Sequence, residues 1–384
     1  MKIGVIGVGR CGLPVALVFE KKGFDVSASS YKEDYISNLK NKKVYTTEPL
    51  VNDLLKDSKI YFTTNNQEII ENNDIIYVAV ATPSLPTGDY DMTAIQNVIN
   101  DLKDYKGSLE KKILIIASTT NPEFCQKIAE DLHKYKITVI YSPLFVAQGS
   151  VFNDFLNQEI VIIGSKNYEN FLIAKKIFSK IHQDQSKIYN LSFTAAEILK
   201  MTLNCWSTLK ITWSNLIGQV LYKSGQFESF EEFYRCLKSV KSIGAERVSF
   251  GFGYGGPCLP RDNRSFAKYA EKIGAEYSLG KNIDELNNKH INFLTEFYID
   301  SNKEKLPFYF SFFSYKPNVD IDEPSHQLEV LKNLIRAGFK IYIAPSEFLN
   351  KDVLCRVQSQ FVNFVEVKSL EELLTKNIKV FKIN

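Results

Sequence analysis

A cysteine at the end of a glycine-rich loop is the feature of this sequence best suited to covalent chemistry. In Ser249-Phe-Gly-Phe-Gly-Tyr-Gly-Gly-Pro-Cys258-Leu-Pro-Arg-Asp262, the glycines Gly251, Gly253, Gly255 and Gly256 fall within six residues. Glycine permits φ > 0 and lets a backbone approach a ligand closely, so the segment suits a loop that wraps a bound molecule. Cys258 sits on a turn flanked by Pro257 and Pro260, with Asp262 four residues on and Arg261 and Arg264 beside it. A free cysteine is most often a buried, inert hydrophobe. This polar setting predicts instead a partly exposed thiol able to act as a nucleophile.

A second glycine cluster, Gly7-Val-Gly9-Arg10-Cys11-Gly12, follows an apolar run over Lys2–Ile6 and precedes an apolar helical pattern from Leu13 to Lys22. Strand, G-x-G-x-x-G, helix is the dinucleotide-binding arrangement. Gly7 allows the tight turn, Gly9 leaves room for a pyrophosphate, and Gly12 lets helix and strand pack closely. The helix N-terminus then meets the negative charge. The next strand, Phe24–Ser29, should close on an acid for the ribose hydroxyls, but the sequence reads Ser29-Ser30-Tyr31-Lys32.

These residues need a scaffold, and the apolar periodicity describes one. Further strand-like runs at Ile60–Thr63, Asp74–Val80, Lys112–Ala117 and Thr138–Tyr141 alternate with helical stretches near 91–104 and 121–133. Such alternation predicts an α/β fold with a parallel, doubly wound sheet. Ligands bind outside the carboxyl ends of strands in such sheets. That makes Ala81-Thr82-Pro83 and Ser118-Thr119-Thr120 candidates, with ordinary turn chemistry as the alternative. Glu159–Gly164 and a helix over Asn167–Ile181 close this domain. Residues Thr194–Tyr222 carry no proline, one glycine and apolar residues at helical spacing, so they form a long bridging helix. Lys200 and Asn204 share one face of it and point into one site, or else form a solvated stripe. After residue 300 the α/β rhythm restarts with strands at Phe308–Phe313 and Lys340–Ile343, a helix at Gln327–Ala337, and a last helix and strand at Ser369–Leu374 and Lys379–Lys382.

Composition narrows the classes further. The 384 residues exceed one ordinary core, so domains are expected at 1–190, 191–300 and 301–384. The net charge of +3 argues against a nucleic-acid or anionic-membrane partner, and no apolar run is long enough to span a bilayer. Arg10 interrupts the apolar start, which reads as a buried first strand rather than a signal peptide. Six scattered cysteines suggest a reducing, cytoplasmic location, and four isolated histidines suggest no zinc site.

The cysteine loop resembles the GxGxGGxCxxKD pattern of the UDP-glucose/GDP-mannose dehydrogenase family. The family's A-E-x-x-K-x-x-x-N helix is matched by Ala196, Glu197, Lys200 and Asn204. Its Thr-Pro and Ser-Thr-Val strand ends resemble Thr82-Pro83 and Ser118-Thr119-Thr120, and its [SA]-[FY]-K motif resembles Ser314-Tyr315-Lys316. The likeness runs along the whole chain in matching order. It implies two Rossmann-like parallel-sheet domains joined by a long central helix and a helical, dimer-forming region, the first binding NAD and the last UDP.

The implied reaction is oxidation of a sugar CH2OH to a carboxylate through a thiohemiacetal and thioester on Cys258. Lys200 and Asn204 would steady the oxyanion, while Asp262 and Thr119 handle protons and water. Cofactor contacts are implied for Gly7, Gly9, Arg10, Cys11, Gly12, Ser30, Lys32, Thr82 and Thr119. Substrate contacts are implied for Phe145, Val146, Lys200, Asn204, Phe250, Gly251, Tyr254, Gly255 and Lys316.

The chain also departs from the family. Its S-P-E-F-L-[RK]-E-G reads Ser142-Pro143-Leu144-Phe145-Val146-Ala147-Gln148-Gly149, without either glutamate. Ser30 stands at the ribose-binding acid, which admits NADP beside NAD. Ser242-Ile243-Gly244 replaces Arg-Ile-Gly, and an arginine expected just after Asp320 is missing. The resemblance implies a homodimeric UDP-glucose to UDP-glucuronate enzyme serving surface polysaccharide synthesis, the glucose branch being favoured by Phe145 and Gly149-Ser150…Asp154-Phe155. The alternatives are a dehydrogenase of a UDP-N-acetylhexosamine or GDP-mannose, and a sugar-nucleotide-binding paralogue without full turnover.

Overall fold

Eight strands form the first sheet: β1 (Lys2–Ile6), β2 (Asp25–Ser29), β3 (Tyr61–Thr63), β4 (Ile75–Val78), β5 (Ile113–Ile116), β6 (Thr138–Tyr141), β7 (Val161–Ser165) and β8 (Ile188–Leu191). Their order is β3-β2-β1-β4-β5-β6-β7-β8. The computed structural model describes residues 1–182, 184–320 and 324–383. The chain divides into two compact units, Met1–Met201 and Thr202–Asn384.

Why the sheet sits where it does is visible in β4. All four of its residues are buried, as expected for a strand covered by helices on both faces. Ile75 and Tyr77 join a core with Phe19 and Phe155, whereas Ile76 and Val78 join a second core with Ile99 and Tyr141. Alternation along one strand thus feeds both layers. The pairing is parallel from β3 through β6. At β7 the direction reverses: β6–β7 is antiparallel, and β7 and β8 run parallel to each other. Strand order reverses between β1 and β4, and the turn Gly7–Gly12 lies at that switch point.

The second unit holds both the helical segment and the small sheet that the sequence separates at residue 300. Its strands, β9 (Phe308–Phe310), β10 (Ile341–Ile343), β11 (Val365–Val367) and β12 (Phe381–Ile383), are all parallel in the order β11-β10-β9-β12. The core under them contains Phe308, Phe310, Leu331 and Ile341. A separate aromatic cluster joins Tyr222, Phe230, Phe250, Phe293 and Phe297.

The long helix runs Phe193–Lys223, one residue beyond the expected range at each end. Elements the periodicity did not reveal are the helices Glu33–Lys40, Val51–Asp57, Asn66–Asn72, Val151–Leu156 and Lys351–Gln360, and strands β8 and β11. The position of the arginine expected after Asp320 lies outside the described residues.

Candidate active site

In the first unit, the expected cofactor residues gather at the carboxyl ends of β1, β2, β4 and β5. Gly7 has φ +101°, and a Cβ on Gly12 would lie 2.0 Å from the Gly7 carbonyl oxygen. Both must be glycine for turn and helix to meet. Gly9 differs: a Cβ there would meet nothing within 4 Å among the described residues, so its bareness leaves an open approach. This cradle fits a pyrophosphate at the start of the helix Gly12–Lys21. Arg10 is exposed and Cys11 half-buried at that helix's N-cap. Ser30 lies just past β2, where its Oγ accepts from the Lys32 amide at 3.4 Å. Thr82 is buried after β4 and Thr119 half-buried after β5.

The long helix explains why its polar residues recur at this spacing. Glu197, fully buried, accepts from Thr120 Oγ1 at 2.8 Å and from the backbone amides of Glu123 (2.7 Å) and Cys125 (2.8 Å). Burial pushes its carboxyl above the usual range, and these hydrogen bonds pull it back. Glu197 therefore clamps the segment that follows Thr119, a role its motif alone did not disclose. One turn later Lys200 Nζ donates to the Leu144 carbonyl at 2.8 Å and stands 4.9 Å from the centre of the Phe145 ring. Leu144, where the family carries a glutamate, thus offers this lysine a backbone oxygen. Val146 is half-buried beside them and packs on the core. Sequence reading also missed Glu48, a buried carboxylate that accepts from the amides of Gly149 and Val151 and fixes the far end of that loop.

In the second unit, Cys258 is exposed and forms the N-cap of the helix Leu259–Lys272, with Pro260 in its first turn. A helix N-terminus is where developing negative charge is favoured. Asp262, in the same first turn, is wholly buried. Its carboxylate accepts from Asn204 Nδ2 at 2.6 Å and from Arg261 Nε at 2.8 Å. The structure so brings Cys258, Asp262 and Asn204 together. Gly256, two residues before the cysteine, donates to the Pro324 carbonyl at 2.8 Å and lies against the ring of Tyr315, the residue before Lys316.

The loop itself is held by residues the sequence had left unconnected. Asn215 accepts from the Gly251 amide (3.0 Å), and His290 Nε2 donates to the Gly251 carbonyl (2.7 Å). Gln219 donates to the other ring nitrogen of His290, which fixes the tautomer. His326 Nδ1 accepts from the Gly253 amide at 3.1 Å, while Asn287 pairs with both amide and carbonyl of Tyr254. Burial pushes His290 down to about 4; burial and its neighbour His290 push His326 down to about 3. Sequence spacing gave no hint of this pair, because each histidine comes from a different helix.

Two residues implied to contact substrate have their rings packed inward. The Phe250 ring is locked in the aromatic cluster, and Tyr254 is buried with its hydroxyl on Asp284. Large aromatic surfaces are drawn inward, so these side chains brace the loop. Gly255 is buried: a Cβ there would lie 2.2 Å from the Pro324 oxygen. Among the described residues no cluster of His, Cys, Asp or Glu could hold a metal ion, and no helix is long and apolar enough to cross a membrane.

Comparison with known proteins gives consistent matches. Residues 1–182 match the family model for the NAD-binding domain of the UDP-glucose/GDP-mannose dehydrogenase family, and residues 194–289 match that for its central domain. The UDP-glucose 6-dehydrogenase TuaD of Bacillus subtilis is 28% identical over 298 residues, which is 75% of this chain and 63% of TuaD. A UDP-glucose dehydrogenase structure from Pyrobaculum islandicum superposes with TM-score 0.83 at 20% identity, covering 100% of this chain and 89% of that one. A UDP-D-ManNAc dehydrogenase structure from Pyrococcus horikoshii gives TM-score 0.77 at 20% identity, covering 97% and 86%.

Proposed function

Because the chain belongs to the UDP-glucose/GDP-mannose dehydrogenase family, we propose that it oxidises the primary alcohol of a UDP-sugar to the carboxylate, with UDP-glucose as substrate and UDP-glucuronate as product. The observation that supports this most is the placement of Cys258, exposed at a helix N-cap with buried Asp262 in the following turn. NAD, when bound, takes a hydride in each of the two oxidations.

The first oxidation turns the alcohol into an aldehyde as the alcohol's hydroxyl proton leaves through Thr119, Asp262 and water. The sulfur of Cys258 then bonds to the aldehyde carbon, and its proton passes to the former carbonyl oxygen. Loss of that proton and the second hydride leaves a thioester. Water finally breaks the C–S bond, restoring the thiol and releasing the acid. Lys200 and Asn204 steady the oxyanions. Lys316 and the backbone of Gly251 and Gly255 contact the nucleotide sugar. Trp206, Trp213 and Val220 remain about 60% exposed at seven-residue intervals along the long helix, and pairing with a second copy would bury them as a homodimer.

Cofactor reduction should be measured against UDP-glucose, UDP-N-acetylhexosamines and GDP-mannose. The expected result is two equivalents of NADH per UDP-glucose oxidised. Preference for another sugar nucleotide would overturn the substrate assignment, and no reduction with any of them would overturn the activity.

A further inference from the structure

A cavity of about 570 Å3 opens in the second unit between the helices Leu259–Lys272, Ser278–Ser301, His326–Arg336 and Lys351–Gln360. Cys258 does not line it, but Tyr254 and Pro260 of the cysteine loop do. Arg264, Lys332 and Arg356 bring cations to its wall from three of those helices. Among the described residues its two carboxylates arrive with partners: Asp284 accepts from Tyr254 and Asn263, and Glu329 pairs with Lys332 at 2.7 Å. The first turn of the helix His326–Arg336 also faces it, adding the partial positive charge of a helix N-terminus.

One buried group points independently to a ligand. His326 lines the cavity at 5% exposure, and its Nε2 has no hydrogen-bond partner among the described residues. Because Nδ1 accepts from the Gly253 amide, the neutral ring carries its proton on Nε2. That is a buried donor in need of an acceptor, and such groups are rare without a reason. We propose that this cavity is a second ligand site, for a small phosphate-bearing molecule held by Arg264, Lys332, Arg356 and the Nε2–H of His326. Its volume suits a ligand of nucleotide size.

Occupation would be felt in the cysteine loop. Donation from Nε2 to an anion polarises the imidazole and makes Nδ1 a stronger acceptor for Gly253, since linked hydrogen bonds reinforce one another. Tyr254, the next residue, is anchored on Asp284 in the same wall. A phosphate ligand there therefore stiffens the loop that presents Cys258.

The test is calorimetric titration of the full chain, free of NAD and sugar nucleotide, with sodium pyrophosphate and separately with inorganic phosphate. Pyrophosphate should bind, and Arg264→Ala/Arg356→Ala should weaken it by roughly tenfold or more. An unchanged near-ultraviolet circular dichroism spectrum reports that the second unit, which carries both arginines, is folded in that variant. Hydrogen exchange across residues 250–256 should slow with pyrophosphate in the native chain and not in the variant. Failure of pyrophosphate to bind, or equal binding by both proteins, overturns the proposal; the second result places the anion at a phosphate subsite of NAD or the sugar nucleotide. Binding by phosphate as tight as by pyrophosphate would point to the free ion rather than a nucleotide as occupant, and supports the site.

Discussion

The two glycine clusters of this protein look alike in sequence and are built for different reasons. In the first, Gly7 and Gly12 are needed because a strand and a helix meet backbone to backbone. In the second, Gly253, Gly255 and Gly256 are needed because the loop is pressed onto side chains of other segments: His326 and Asn287, the Pro324 carbonyl, and the Tyr315 ring. The first turn is thus specified locally, and the second by partners far along the chain. Each cluster still contains one glycine that packing does not explain. A Cβ at Gly9 or at Gly251 meets nothing within 4 Å among the described residues, and neither has a positive φ. Under the proposed function, those are the positions left bare for a ligand.

The strongest way to break this comparison is to fill the packed glycines. Gly12→Ala and Gly255→Ala each drive a methyl into a backbone oxygen at about 2 Å, so each should destabilise by roughly 3 kcal/mol or more. Urea denaturation measures both. A well-folded Gly255→Ala would show that the cysteine loop is not pressed onto its neighbours as described.

Acid separates the loops next. His290 and His326 titrate well below an ordinary histidine when folded, whereas the unfolded chain takes up protons near pH 6.5. Stability is therefore unaffected above that pH and falls as pH drops toward the folded values. Between pH 7 and 5 each buried histidine should remove about 2 kcal/mol. Hydrogen exchange should accelerate over residues 249–256 and much less over 7–12, where no histidine supports the turn. Equal acceleration in both would contradict the distinction.

The open glycines give a smaller, cleaner signal. Gly9→Ala and Gly251→Ala should change stability by less than about 1 kcal/mol. Gly9→Ala should weaken NAD roughly tenfold, and Gly251→Ala the sugar nucleotide by a similar factor. Crossed effects would mean that the loops have exchanged roles. The smallest change is expected from Ser30→Asp, which restores an acceptor for the ribose hydroxyls and should raise preference for NAD over NADP several-fold. An unchanged ratio of turnover efficiencies would mean that another group already provides that acceptor.

How much of this was legible in the sequence follows the same division. The β1 turn, the parallel strands through β6 and the long helix follow from short-range periodicity and glycine spacing, so they could be read directly. The reversal at β7 could not, because a strand's direction leaves no mark in its own residues. Cys258, Asp262 and Asn204 were recognisable as chemistry, and the structure adds that Asn204 holds Asp262. The anchors of the loop were invisible. Asn215, Asn287, His290 and His326 are single polar residues in helical stretches, and only tertiary packing gives them a common target. The inward packing of the Phe250 and Tyr254 rings was illegible for the related reason that an aromatic in a ligand loop looks alike whether it faces ligand or core.

The central claim is that oxidation proceeds on the sulfur of Cys258, and Leu144 gives it an unusually direct test. With Leu144 and Gln148 in place of carboxylates, the proposed thioester finds no acid in that loop to polarise its water. The measurement is intact-protein and peptide mass spectrometry of enzyme quenched during turnover with NAD and UDP-glucose. The account predicts an acyl adduct on Cys258, absent from Cys258→Ala and diminished in Leu144→Glu as acid release quickens. Rapid formation of acid with no adduct on Cys258, or full acid formation by Cys258→Ala, would contradict it.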